Sequence, residues 1–191
     1  MTRGSIRFGR AVAALVFACL APCAIPASAA AQDEALARAV KATYLYKFAP
    51  FIDWPDPASE FPSGAFRICV VGDHPFHGML DRAVQGQTID GRPIAIQRFP
   101  SVTANPGCSV MFVTGPDPQS IAQTLAAVRG SPVLTVTDSQ HNPDDSGIIN
   151  FVIADSRVRF EINPQAAEAN RLTISSKLLN LATKVTGMES P

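Results

Sequence analysis

The stretch Phe66-Arg-Ile-Cys-Val-Val-Gly-Asp73 decides the fold class of this chain. Its first six residues form a short apolar run that ends at Gly72, which is the pattern of a buried β-strand. Asp73 can cap a following helix and Pro75 suits a first helical turn, so a helix is predicted from Pro75 to about Val84. A buried strand followed directly by a helix is typical of α/β proteins with a parallel sheet.

The segments on either side continue this alternation of helices and strands. Before the stretch, apolar residues at three- and four-residue steps predict a helix from Asp33 to about Ile52, which Trp54-Pro55 and a further proline end. After the stretch, the predicted elements are a strand over Pro93–Phe99, a strand over Cys108–Thr114, a helix over Pro116–Arg129 and a strand over Val133–Thr137.

The last third of the chain changes to an antiparallel pattern. Two alternating runs, Ile148–Ile153 and Arg157–Ile162, flank Ala154-Asp155-Ser156, and this arrangement predicts a β-hairpin. Short helices are predicted at Asn163-Pro164 and from Ser175 or Ser176 through Ala182. The predicted fold class is therefore α/β, with a mostly parallel sheet flanked by helices and an antiparallel C-terminal hairpin.

The first residues have the features of a secretory signal peptide. Three arginines form a basic start, residues 11–21 are uncharged and mostly apolar, and Ala27-Ser-Ala29 supplies small residues for a signal peptidase. The apolar run has about half the length that spans a bilayer, so we expect cleavage between residues 29 and 32 and export to the periplasm. An uncleaved anchor and a lipoprotein with lipidation at Cys23 are the alternatives.

The size and charge of the remaining chain limit what it can be. Cleavage leaves 160 to 162 of the 191 residues, so we predict a signal peptide over residues 1–29 and one domain over residues 32–187. The signal removes three of the 16 basic residues and none of the 16 acidic ones, which leaves 13 against 16 and a net charge of −3. A mildly acidic chain without a basic cluster lacks the electrostatic footprint of a nucleic-acid-binding protein.

The cysteines indicate a structural role for sulfur. Cys19 and Cys23 leave with the signal, and Cys69 and Cys108 allow a single intramolecular pairing in an oxidising compartment. Two buried thiols that never meet are the alternative. Neither cysteine lies in a C-x-x-C motif or at a predicted helix start, which favours structural sulfurs over nucleophiles.

A search for catalytic and metal-binding motifs finds little. The sequence contains no nucleophile elbow, no P-loop and no dinucleotide-binding glycine pattern. His74 and His77 lie three residues apart beside Asp73, but the sequence places no third metal ligand. We therefore predict no enzyme, no cofactor and no metal site.

Eight segments, taken in their order along the chain, resemble the YfiR/HmsC family of periplasmic proteins. The resemblance covers nearly the whole mature chain, from about Leu36 to Val185. The segments are Lys41–Ala49 with Trp54-Pro55, Arg67–Asp73, Gly91–Ile94, Gly107–Val113, Pro132–Asp138, Gly147–Val152, Arg157–Asn163 and Ile174–Leu179.

The resemblance implies a non-enzymatic regulator. Family members of the YfiR type bind the periplasmic part of an inner-membrane diguanylate cyclase and hold the cyclase inactive. An outer-membrane, OmpA-like lipoprotein can sequester the repressor, which releases cyclic-di-GMP synthesis and biofilm formation. Cys69 and Cys108 match the family's disulfide cysteines, whereas a further C-terminal disulfide of the best-known member has no counterpart in this chain.

The resemblance also implies partner contacts in the C-terminal region. Arg157, Arg159 and Glu161 alternate with apolar residues, and this period of two predicts that the charged side chains occupy the open face of an edge hairpin. We therefore predict that these three residues bind the partner. The alternative is that their charges only keep an edge strand from pairing with other chains.

Three further expectations concern the rest of the domain. Trp54, the single tryptophan, is expected to anchor the end of the first helix against the sheet, the alternative being an exposed ring on a partner surface. The alternative function is a periplasmic sensor with a small molecule at the carboxyl ends of the strands, near Gly72 and Asp138. A homodimer is also possible.

Overall fold

The computed structural model describes residue 1 and residues 27–55, 64–138 and 145–186. The predicted signal peptide therefore lies mostly outside the described residues. The first helix, α1 (Ala27–Lys47), begins before the predicted Asp33 and ends before the predicted Ile52. Pro50 supplies no backbone N–H, and the chain tightens into a 3₁₀ turn over Ala49–Phe51 at this point.

The other elements follow the predicted order, with several two-residue strands added. Their bounds are β1 (Ile52–Asp53), β2 (Phe66–Val71), α2 (Met79–Val84), β3 (Thr88–Ile89), β4 (Arg92–Phe99), β5 (Val110–Val113), α3 (Pro118–Ala127), β6 (Leu134–Thr137), β7 (Ile149–Ala154), β8 (Arg157–Ile162), α4 (Pro164–Ala169), β9 (Thr173–Ile174), α5 (Ser176–Leu179) and β10 (Lys184–Val185).

Eight of the strands form one sheet in the order β10-β8-β7-β6-β5-β2-β4-β3. The neighbours from β4 across to β7 are parallel, and β10 is parallel to β8. The β7–β8 and β3–β4 pairs are antiparallel, and β1 and β9 form a separate antiparallel pair. The predicted α/β fold class, with a mostly parallel sheet and an antiparallel C-terminal hairpin, is confirmed.

Alternate residues of the central strands belong to two different cores. On one face, Ile68, Val110 and Val136 pack in a cluster with apolar side chains of α1 and α2. On the other face, Cys69 and Met111 pack with side chains at and beside α3. Because both faces are covered, the buried residues of β2 and β5 are apolar, whereas β6 also buries Thr135 and Thr137.

The second and the last predicted helices are shorter in the structure than their sequence patterns predict. His77 and Gly78 have φ values of +42° and +78°, so the predicted helical start at Pro75 is wrong and α2 begins at Met79. A left-handed residue ends regular helix geometry. The last helix, α5, covers Ser176–Leu179 and therefore ends before the predicted Ala182.

Candidate functional site

The C-terminal hairpin turns through two residues in the left-handed conformation. Asp155 and Ser156 have φ values of +51° and +57°, and they join β7 directly to β8. Two central residues with positive φ match the right-handed twist of the flanking strands and so fix their pairing. The pairs run from Ala154 opposite Arg157 to Ile149 opposite Ile162.

One face of this hairpin is fastened to α1 by aromatic side chains. Phe151 and Phe160 are directly paired across the strands and are 0% and 5% exposed. The Phe48 ring meets the Phe160 ring edge-on with 5.2 Å between centroids, and the Tyr44 ring also lies within 6.1 Å of both. This face of the hairpin is therefore packed into the core of the domain.

The opposite face of the hairpin is open and carries the residues that were predicted to bind a partner. Arg157 and Arg159 are exposed, whereas Glu161 is half-buried. Each lies across from a small or uncharged residue of β7, and among the described residues none of the three takes part in an ion pair. Two exposed cationic side chains therefore project from a hairpin that packs into the core on its other face.

The hairpin is not the edge of the sheet along its whole length. Lys184 and Val185 of β10 pair in parallel with Glu161 and Ile162, so the prediction of β8 as an edge strand is wrong for its last two residues. The register also places Lys184 beside Glu161 on the open face. A two-residue strand has no hydrophobic period, so the sequence contained no signal for Lys184 at this surface.

Cys69 and Cys108 form a disulfide in the structure. Their Cα atoms are 5.9 Å apart, and the residues are 0% and 3% exposed. The bond joins β2 to the loop before β5, within the core that α3 covers. The side-chain oxygen of Asn105 accepts hydrogen bonds from the backbone N–H groups of Gly107 and Cys108, which holds this loop at the sulfur.

Trp54 follows β1 and packs partly buried against the larger core. Its ring meets the ring of Phe66, the first residue of β2, at 89° with 5.7 Å between centroids. The contact lies where the chain leaves the helical segment and joins the sheet, at the place where the sequence predicted an anchor.

The carboxyl ends of the central strands contain a cavity of about 430 Å³. Gly72 lies on its wall with φ of +92°, and the residues that line the cavity are uncharged. Ser101, Thr103 and Gln123 are among the polar residues that line it. The cavity lies where the strand order reverses, which is where open α/β sheets commonly bind ligands.

Asp138, the other residue of the predicted ligand region, has a partner inside the protein. Its two carboxylate oxygens accept hydrogen bonds of 2.7 and 2.6 Å from Lys41 Nζ on α1, and the lysine side chain is only 10% exposed. His74 and His77 line a separate cavity with Arg98. In residues 27–55, 64–138 and 145–186, no three His, Cys, Asp or Glu side chains are grouped so as to hold a metal ion.

A family model described as YfiR/HmsC-like matches residues 38–183. This chain belongs to the YfiR/HmsC-like family. The match extends from α1 to the residue before β10 and includes both disulfide cysteines and the hairpin. A comparison with curated proteins found no match.

The YfiR/HmsC-like family is a family of regulatory proteins of the periplasm, and membership supports a regulatory role in general. In the described part of the chain, none of the helices combines the length and apolar character needed to cross a membrane. The structure brings Arg157, Arg159 and Glu161 onto one surface, and it places the disulfide and Trp54 elsewhere, in the two cores.

Proposed function

We propose that this protein is a periplasmic regulator that binds the periplasmic part of an inner-membrane diguanylate cyclase and holds the cyclase inactive. Repression would lower cyclic-di-GMP and biofilm formation, and an outer-membrane, OmpA-like lipoprotein would relieve it by binding the regulator. The proposal is supported by membership of the YfiR/HmsC-like family and by the open face of the β7–β8 hairpin.

The observation that carries the proposal is that two exposed arginines, which form no ion pair within the described ranges, lie on a strand that packs into the core. Arg157 and Arg159 are exposed on one face of β8, while Phe160 on the opposite face is only 5% exposed and packs against Phe48, just after α1. A surface that is already rigid loses little conformational entropy when a partner binds. Charged side chains on such a surface select the partner and orient the encounter.

The direct test compares two charge reversals on the purified protein. Arg159→Glu should weaken binding to the periplasmic domain of the cyclase by about tenfold or more, because it reverses a charge at the centre of the open face. Arg82→Glu is the matched control and should bind normally. Arg82 is an exposed residue of α2, which follows β2 and lies away from the β8 end of the sheet. Binding is measured by calorimetry after both variants are shown to unfold like the wild type.

Equal affinity of Arg159→Glu and Arg82→Glu would show that the open face does not carry the interaction. Absence of any binding between the wild-type protein and a cyclase domain would reject the cyclase as the partner. Both exposed substitutions should change the free energy of unfolding by about 0.5 kcal/mol or less, so loss of binding cannot be attributed to unfolding.

A small-ligand sensor is the second candidate function, and the cavity beside Gly72 favours it. Its uncharged lining combines apolar residues with hydroxyl and amide side chains, which fits a small neutral molecule. Protein isolated from the periplasm and examined by native mass spectrometry would carry a bound molecule if this function is correct. Protein that carries none, yet binds the cyclase domain, would reject the sensor and support the regulator.

A further inference from the structure

The first half of β8 has an open backbone edge. The carbonyl groups of Phe160 and Ile162 accept hydrogen bonds from Thr183 and Thr186 on the outer side of the sheet, whereas the N–H of Asn163 donates to Ile148 on the inner side. Backbone groups alternate in direction along a strand. The N–H and C=O of Val158 therefore point outwards, like those of Phe160.

No described residue pairs with this part of the edge. The β10 strand pairs with β8 only at Glu161 and Ile162, so on the side away from β7 no described strand lies beside Arg157 to Arg159. The edge is thus divided in two: a short parallel strand covers one half, and the backbone groups of the other half pair with no residue in the described part of the chain. Natural edges are seldom left open in this way without a reason, because an open edge pairs with other chains.

Both faces beside the open edge offer contacts to an added strand. On the open face, Arg157 and Arg159 are exposed, and neither forms an ion pair with a residue that the structure describes. On the opposite face, Val158 is half-buried, and Ile153, which pairs with it, is 47% exposed. A segment that alternates acidic and apolar residues would place its carboxylates beside the arginines and its apolar side chains beside Ile153 and Val158.

We propose that the open edge of β8, at Arg157 to Arg159, receives an extended acidic segment of a protein partner, which adds to the sheet as a further strand in line with β10. The proposal deepens the proposed function in that it names the segment of the partner that the hairpin would recognise. Main-chain hydrogen bonds supply affinity in this mode of recognition, and the alternating side chains supply specificity.

A second copy of this chain fits the same edge poorly. Antiparallel pairing of two β8 strands around Val158 would bring Arg157 of one copy opposite Arg159 of the other, on the same face of the joined sheet. Like charges directly opposite each other destabilise a strand pair. The charge of the edge therefore favours an acidic partner over a homodimer.

The test uses a short synthetic peptide of alternating Glu and Val residues as the probe, with the matching Lys and Val peptide as its control. In the free protein the N–H of Val158 should exchange rapidly with solvent, whereas that of Arg159, which points towards β7, should exchange slowly. The acidic peptide should bind and slow exchange at Val158. The basic peptide should not bind, and added salt should weaken binding of the acidic peptide.

Two variants separate backbone from charge. Val158→Pro removes the outward N–H at a position where an edge strand tolerates proline, and Arg157→Glu with Arg159→Glu reverses the charge while keeping the backbone. Each variant should weaken binding of the acidic peptide by about tenfold or more. If Val158→Pro fails to fold, the charge-reversed variant alone decides.

Slow exchange at Val158 in the free protein, equal binding of both peptides, or self-association through this edge would overturn strand addition. Failure of strand addition and failure of the proposed function can be told apart. A cyclase domain that binds Val158→Pro normally but fails to bind Arg159→Glu would reject the added strand and leave the regulator intact. A peptide that binds while no cyclase domain does would support the edge and reject the cyclase.

Discussion

Lys41 and Asp138 are 97 residues apart in the chain and form the least exposed ion pair of the described residues. The pair fastens α1 to the carboxyl end of β6. By contrast, Arg38 and Glu34 are neighbours on one helix face, and the glutamate side chain is 70% exposed. Salt bridges of the second kind contribute little, because water and salt screen them.

We expect Lys41→Ala to lower the free energy of unfolding by about 1 to 3 kcal/mol, since it leaves a partly buried carboxylate without its partner. Arg38→Ala, the control, should lower it by less than about 1 kcal/mol. Urea unfolding of the two variants measures the difference. Equal losses would show that the Lys41–Asp138 pair adds nothing beyond an exposed pair.

Gly72 is required by a close backbone approach. A Cβ atom at this position would lie 2.0 Å from the carbonyl oxygen of Thr114, at a φ of +92°. The neighbouring strands cannot separate to make room, because Thr114 donates its N–H to Val71 and Gly72 donates to Phe99. The turn that ends β2 is thus locked against two other strands.

Gly72→Ala should therefore lower the free energy of unfolding by about 3 kcal/mol or more, from steric overlap added to left-handed strain. Gly86→Ala is the matched control. Its φ is +72° and a Cβ there would meet nothing within 4 Å, so strain alone should cost about 1 to 2 kcal/mol. A Gly72→Ala variant as stable as Gly86→Ala would contradict the described packing of β2 against β5.

At the scale of elements, the sequence predicts best where a segment is long and its period is clear. The strands β2, β4 and β8 and the helix α3 lie close to their predicted bounds, because burial of one or both faces imposes apolar residues at regular positions. The start of α2 could not be predicted, since Asp73 and Pro75 resemble a helix start while His77 and Gly78 adopt left-handed geometry.

The disulfide is the element-scale feature with the largest expected effect on stability. Cys69 and Cys108 are separated by 39 residues, and closing a loop of that size stabilises the fold by roughly 4 kcal/mol in the chain-entropy model. The paired change Cys69→Ala with Cys108→Ala should lower the free energy of unfolding by about 2 to 4 kcal/mol. Identical urea midpoints for oxidised and reduced wild-type protein would contradict this.

At the scale of the whole molecule, long-range pairings determine the candidate site. The alternation in Arg157–Ile162 was sufficient to predict which side chains face outwards, and the structure has that alternation. The pairing of β10 with the last residues of β8 and the Lys41–Asp138 ion pair both depend on contacts between distant segments of the chain. Single-sequence patterns contain no information on such contacts, so the open edge at Val158 became visible only with the strand order.

The concentration of cyclic-di-GMP in the cell tests the central claim most directly. Deletion of the gene should raise cyclic-di-GMP, and the wild-type protein should restore the low level. The Arg159→Glu variant, present in the periplasm at the same amount, should leave cyclic-di-GMP high, whereas Arg82→Glu should restore repression. Unchanged cyclic-di-GMP after deletion, or full repression by Arg159→Glu, would contradict a regulator that acts on a cyclase through the open face of this hairpin.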